Sequence, residues 1–203
     1  MELYPYNPKD QRLKSDVKGL GIGRAFLAHF QVAAALATAA NITGIHAPVA
    51  CSATQTTVVN IAITNPSVPR NITATAGGTA ADIKAVQVTI TGTNYADEVI
   101  SETLPAFTID TAGTVAGNKA FRTVTNVSIP AMDGAGATVS IGFGEKLGLP
   151  FKIAHNTVLT AYLDNVKEAT APAVTTSTVD IDENTIDLNS PLNSKLVDAY
   201  LLI

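Results

Sequence analysis

Tryptophan is absent from this sequence, cysteine occurs once, and aromatic residues make up only 5% of the chain. So thin an aromatic supply argues against the stacking platforms of single-strand nucleic-acid binders and of many sugar sites. The single thiol, Cys51, excludes an intrachain disulfide. With no cationic neighbour or helix start beside it to favour the thiolate, it reads as a small buried apolar residue. Charged residues are 15% of the chain and the formal net charge is −4, so there is no broad basic surface with which to neutralise nucleic-acid phosphates. No nucleic-acid partner is expected. The most apolar stretch, residues 25–40, is interrupted by His29 and Gln31 and falls short of the roughly 20 residues that span a bilayer, so no membrane partner is expected either. Residues 1–18 are polar, contain Pro5 and Pro8 and lack the apolar centre of a secretory signal. Without such a signal the sequons at Asn41, Asn71 and Asn126 carry no weight.

What is abundant is alanine, threonine, valine and isoleucine, in a chain of 203 residues, long enough to bury a core without metal or disulfide staples. The organising stretch is residues 83–109. Val86, Val88 and Ile90 alternate there with Gln87, Thr89 and Thr91, the period of a half-buried strand. Residues 92–97 supply turn chemistry through Gly92, Asn94 and Asp97, and a second run follows over 98–104, which together predict a hairpin. Similar short runs recur to the end of the chain, at 56–64, 70–76, 120–129, 138–143, 157–163, 174–181 and 196–203. This is the pattern of an antiparallel sandwich or barrel. In the last run Val197, Ala199, Leu201 and Ile203 face one way, Asp198 and Tyr200 the other. Asn65-Pro66 and Val68-Pro69 force a turn between the first two runs.

The beginning of the chain reads differently. Residues 1–18 have no period and too few apolar side chains to fold alone, so an extended arm is expected. After Gly19, Gly21 and Gly23, the residues Phe26, Leu27, Phe30, Ala33, Ala34 and Ala37 follow helical spacing in an alanine-rich run, predicting a helix over 24–40. The expected organisation is an arm and helix over 1–53 and a β-sandwich domain over 54–203.

No stretch carries a catalytic signature. The glycines at 19, 21 and 23 lack both a preceding strand and an acid about 20 residues on, as a dinucleotide-binding turn requires; a hinge is the simpler reading. Asp180, Asp182 and Asn184 give the first half of a calcium loop, but Thr185 and Pro191 stand where glycine and a bidentate glutamate belong. A solvated turn is the competing reading, and a weak surface Ca²⁺ site stays open. His29, His46 and His155 have no zinc spacing, and Glu98 and Glu102 share a strand face without any other sign of paired acid–base work. The expectation is a protein without enzyme activity, metal or cofactor.

Residues 63–75 (ITNPSVPRNITAT), 88–104 (VTITGTNYADEVISETL), 117–130 (GNKAFRTVTNVSIP), 142–153 (GFGEKLGLPFKI) and the ending ENTIDLNSPLNSKLVDAYLLI resemble a group of proteins encoded with the structural genes of tailed bacteriophages, particularly those infecting Gram-positive bacteria. The resemblance implies a noncatalytic virion component, a capsid decoration or auxiliary head protein. It would have an immunoglobulin-like antiparallel β-sandwich, be made in the host cytoplasm and sit on the capsid exterior. The partners implied are the major capsid protein and neighbouring copies of the chain. Leu3, Tyr4, Tyr6 and Leu13 on the arm, with Phe26, Leu27 and Phe30 on the expected helix, are the candidate partner-binding residues. A tail, neck or baseplate component and a carbohydrate-binding or adhesion module are the alternatives. The loops at 110–118 and 131–137, where such a module would bind sugar, contain no aromatic residue.

Overall fold

The computed structural model describes residues 13–14, 18, 21–22 and 25–203. Among them the architecture is mainly β, and every paired strand is antiparallel to its neighbour. Two strands, β1 (Leu13–Lys14) and β2 (Gly21–Ile22), form a ribbon of their own. One four-stranded sheet has the order β5 (Thr57–Val59), β10 (Thr123–Ile129), β7 (Thr89–Thr93), β8 (Val99–Thr103). The six-stranded sheet runs β14 (Ala173–Thr175), β15 (Thr185–Asp187), β11 (Ala137–Gly148), β6 (Arg70–Gly78), β9 (Gly113–Phe121), and β4 (Asn41–Ala50) also pairs with β11. A second four-stranded sheet has the order β13 (Val166–Lys167), β12 (Val158–Leu163), β16 (Val197–Leu202), β3 (Leu27–Val32).

Two apolar cores follow from the period-two alternation. In the first, Ile90, Val124, Val127 and Ile129 from the β5–β10–β7–β8 sheet, with Val88 just before β7, meet Ile72, Ala74, Val139 and Ile141 from the six-stranded sheet, a face-to-face packing of two sheets. In the second, Phe30, Val32, Ala161, Leu163, Val197, Ala199 and Leu201 from the β13–β12–β16–β3 sheet pack with Leu147 and Ile186. Strand β11 serves both. Its register against β6 shifts between Phe143 and Leu147, and the residues beyond the shift belong to the second core.

The predicted hairpin is present as β7 and β8, paired from Thr89 opposite Thr103 to Thr93 opposite Val99. Its first strand is shorter than the alternation suggested: Ile83 and Val88 are buried, yet residues 83–88 are not strand. Asn94 closes the turn by accepting the N–H groups of Ala96 (2.9 Å) and Glu98 (3.1 Å).

The helix expected over 24–40 is not formed. Leu27–Val32 is strand β3, in which Ala28, Phe30 and Val32 turn inward while Leu27, His29 and Gln31 turn outward. The alanine run after it makes a single turn, with the N–H groups of Leu36 and Ala37 donating to the Ala33 carbonyl. Helical spacing and alternation coexist in FLAHFQV, and pairing with β16 decides between them, since tertiary contacts override propensity over so short a run. Strands β3 and β4 lie before residue 54 and yet are built into two of the sheets. Among the described residues the helical turns are the short 3-10 segments Ala80–Asp82 and Ile181–Glu183.

Candidate functional site

The residues singled out as partner contacts separate. Leu3, Tyr4 and Tyr6 lie outside the described residues, and Leu13 stands opposite Ile22 in the ribbon. Phe26 exchanges two backbone hydrogen bonds with Ile203, both 3.0 Å, and so fixes the point where the N-terminal segment joins the sheets. Leu27 is 63% exposed. Phe30, at 6% exposure, belongs to the second core, because inward alternation in β3 puts it opposite Ala199. It is thus a packing residue and does not present an apolar face to a partner.

The residues 180–184 hold the chain to itself. Asn184 is fully buried, and both functions of its carboxamide are occupied: Oδ1 accepts from the Ile153 and Ser177 N–H groups (3.2 and 2.9 Å), and Nδ2 donates to the Ser177 and Asp180 carbonyls (both 2.9 Å). Asp182 is only 2% exposed. Its Oδ2 lies 2.8 Å from Lys119 Nζ, and its Oδ1 accepts from Asn94 Nδ2 at 3.2 Å. Burial pushes the Asp182 carboxyl up, but the hydrogen bonds from Lys119 and Asn94 outweigh it and hold the group below the ordinary aspartate range. Among the described residues, no three His, Cys, Asp or Glu side chains converge as a metal site would require.

Beside this latch is a cleft of ≈ 440 Å³ lined by Glu102, Asn118, Lys119, Thr175 and Glu183. Burial raises the Glu102 carboxyl, opposed by the N–H groups of Asn118 and Lys119 that it accepts. Two carboxyls shifted in opposite directions are a feature of acid–base sites, but only Glu102 lines this cleft, Asp182 being buried behind it. Here each has a structural occupation: Glu102 caps the N–H groups of β9, and Asp182 secures the turn after β14. Glu98, which shares a strand face with Glu102, accepts from Asn94 Nδ2 at 2.9 Å. Cys51 is buried, and burial raises its thiol, partly offset by the Val139 backbone.

The outer face of the β13–β12–β16–β3 sheet carries a second cluster. Asp198 Oδ1 accepts from Gln31 Nε2 at 2.8 Å and lies 2.7 Å from His29 Nε2. His29 stacks on Tyr200 with centroids 4.7 Å apart and planes 5° from parallel, while Tyr162 stands at 89° to Tyr200, 6.2 Å away. Tyr162, Asn165, Asp198 and Tyr200 line a cleft of ≈ 320 Å³. Sequence reasoning passed over this group because its members are scattered. The available signal was the outward half of each strand's alternation, His29 and Gln31 in one and Asp198 and Tyr200 in the other.

No protein-family model, no curated protein and no solved structure matches this chain.

Proposed function

We propose that the chain is a noncatalytic structural protein of a tailed-phage virion, a decoration protein on the outside of the capsid shell. In this reading an immunoglobulin-like β-sandwich is the rigid body, the N-terminal segment docks it, and the major capsid protein is the partner, with neighbouring copies as a further contact. The sequence resemblance along the β region supports the assignment. The observation that carries the docking role is that β1 and β2 pair only with each other among the described residues. A ribbon of two-residue strands has too few hydrogen bonds and too little buried surface to persist unaided in water, so it needs a surface to lie on. The next strand, β3, is an edge strand, and exposed Leu27 at its start is adjacent to the Phe26–Ile203 clasp that anchors the segment.

The test uses particles purified without this protein. Added back, the full chain is expected to sediment with them, and a variant lacking residues 1–24 is expected to keep its β circular-dichroism signal but remain in the supernatant. Raising salt to about 0.5 M, where charge interactions are screened within a few ångströms, is expected to release little of the wild type. Full occupancy by the truncated variant overturns the docking role. Density on the tail instead of the shell in a cryo-EM map overturns the head location.

A further inference from the structure

The cluster on the outer face of the β13–β12–β16–β3 sheet differs from an ordinary solvated strand face. On the β5–β10–β7–β8 sheet the outward polar side chains are hydroxyls, some bonding to each other, as Thr93 and Thr123 do at 2.7 Å and Thr89 and Thr103 at 3.3 Å, beside exposed Val58 and Val99. On this sheet the corresponding positions hold two tyrosines, a histidine, a glutamine and an aspartate that is only 8% exposed. A carboxylate so far removed from water is costly unless its oxygens are satisfied. Both donors available to it, from His29 and Gln31, go to the same atom, Oδ1. Among the described residues no hydrogen bond uses Oδ2, which is not one of the buried unpartnered atoms and so opens onto solvent in the cleft that Asp198 lines.

We propose that this cleft is a binding site for a neutral saccharide, recognised one sugar ring at a time. The two tyrosine rings meet at a right angle, with one face of Tyr200 covered by the stacked His29, and the corner they leave is where the C–H face of a pyranose can pack. Asp198 supplies an acceptor for sugar hydroxyls, already oriented by His29 and Gln31, so little ordering remains to be done on binding. Asn165 contributes a donor and an acceptor at the rim, the complement of two vicinal hydroxyls. It is held there by the tight turn between β12 and β13, where Asp164 and Asn165 take φ of 54° and 63°. The volume, ≈ 320 Å³, is at the small end of the roughly 300–1,000 Å³ usual for ligand sites, fitting one ring better than an extended polymer. A carboxylate in the wall disfavours phosphorylated and acidic sugars. The lining residues come from β12, the turn after it and β16, while His29 and Gln31 of β3 only orient Asp198; the proposal does not depend on the capsid reading.

Isothermal titration of the full chain with the methyl glycosides of glucose, galactose and N-acetylglucosamine, and with glucuronate and choline, tests it. At least one neutral glycoside is expected to saturate at one site per chain. Tyr162→Ala and Asn165→Gly should each weaken it by about tenfold, the effect of losing one aromatic contact or one hydrogen-bonding group. Asn165→Gly keeps the left-handed turn that glycine adopts freely, so its melting temperature should match the wild type and its defect report the carboxamide alone. Both variants are expected to sediment with capsids normally, which separates this site from the docking segment. Saturation by no neutral glycoside, equal affinity in both variants, or binding of choline or glucuronate in place of the neutral sugars each overturns the proposal.

Discussion

Lys119 Nζ lies 2.8 Å from Asp182 Oδ2 and pins the turn after β14 to strand β9, with the aspartate buried and the lysine partly in solvent. Removing one member leaves the other charge without its partner. Lys119→Ala is therefore expected to destabilise the fold by about 3 kcal/mol, the scale for an uncompensated buried charge. The double variant Lys119→Met with Asp182→Leu should recover most of the loss. Urea denaturation of the three proteins measures both.

Acid should act on the same pair. The Asp182 carboxyl is depressed in the folded state, so its stabilisation is present above the unfolded value of about 3.9 and is lost as pH falls through the folded one. Glu102 is raised by burial; its contribution is present below the unfolded value of about 4.3 and is lost as pH rises through the folded one. Urea midpoints between pH 3 and pH 8 should accordingly show a shallower acid limb in Asp182→Asn. Glu102→Gln should gain stability relative to wild type as pH rises through the raised folded value of Glu102, since the amide oxygen can still accept from β9 without a buried charge.

Arg70 is 1% exposed, and burial pulls its guanidinium down to about 10, opposed by the charge of Glu145. It bonds Thr38 through Nη1 at 3.2 Å and lies over the Phe143 ring at 4.8 Å, while Nε and Nη2 have no partner among the described residues. Arg70→Met keeps the apolar stem and removes the desolvated charge. The expected result is unchanged or higher stability, by about 1–4 kcal/mol, read as a shift in melting temperature. A loss larger than 2 kcal/mol, about the effect of a modest core defect, would show that the guanidinium is a net stabiliser.

Gly142 lets β4 cross β11 at close range: a Cβ there would collide with the Asn41 carbonyl oxygen and the Ile42 backbone. Backbone cannot yield as a side-chain tip can. Gly142→Ala should lose about 1–3 kcal/mol, the usual cost of overpacking, and hydrogen exchange should show the loss concentrated in β4.

Legibility in the sequence followed the range of the interactions. The β7–β8 hairpin could be read because its alternation and the Asn94 turn are local, and the alternation of β16 was equally plain. Strand β3 was misread because Phe26, Leu27 and Phe30 satisfy helical spacing, whereas the partner that makes them a strand is β16, far along the chain. The Asp182 cluster was seen as a set of acids, but its true partner, Lys119, has no local mark. The His29–Asp198 contact could not be inferred without the register that places Gln31 opposite Asp198 and His29 opposite Tyr200.

The pairing of β3 with β16 also sets a clock on synthesis. His29 and Asp198 are 169 positions apart, so at roughly 5–20 residues per second a ribosome needs about 8–34 s to deliver the second strand after the first. Throughout that interval Ala28, Phe30 and Val32 have neither their ladder partner nor most of their core. Completion of the second core thus waits for the late arrival of β16. Slowing elongation late in the message should increase the fraction of nascent chains lost to aggregation, even though the finished protein is unchanged.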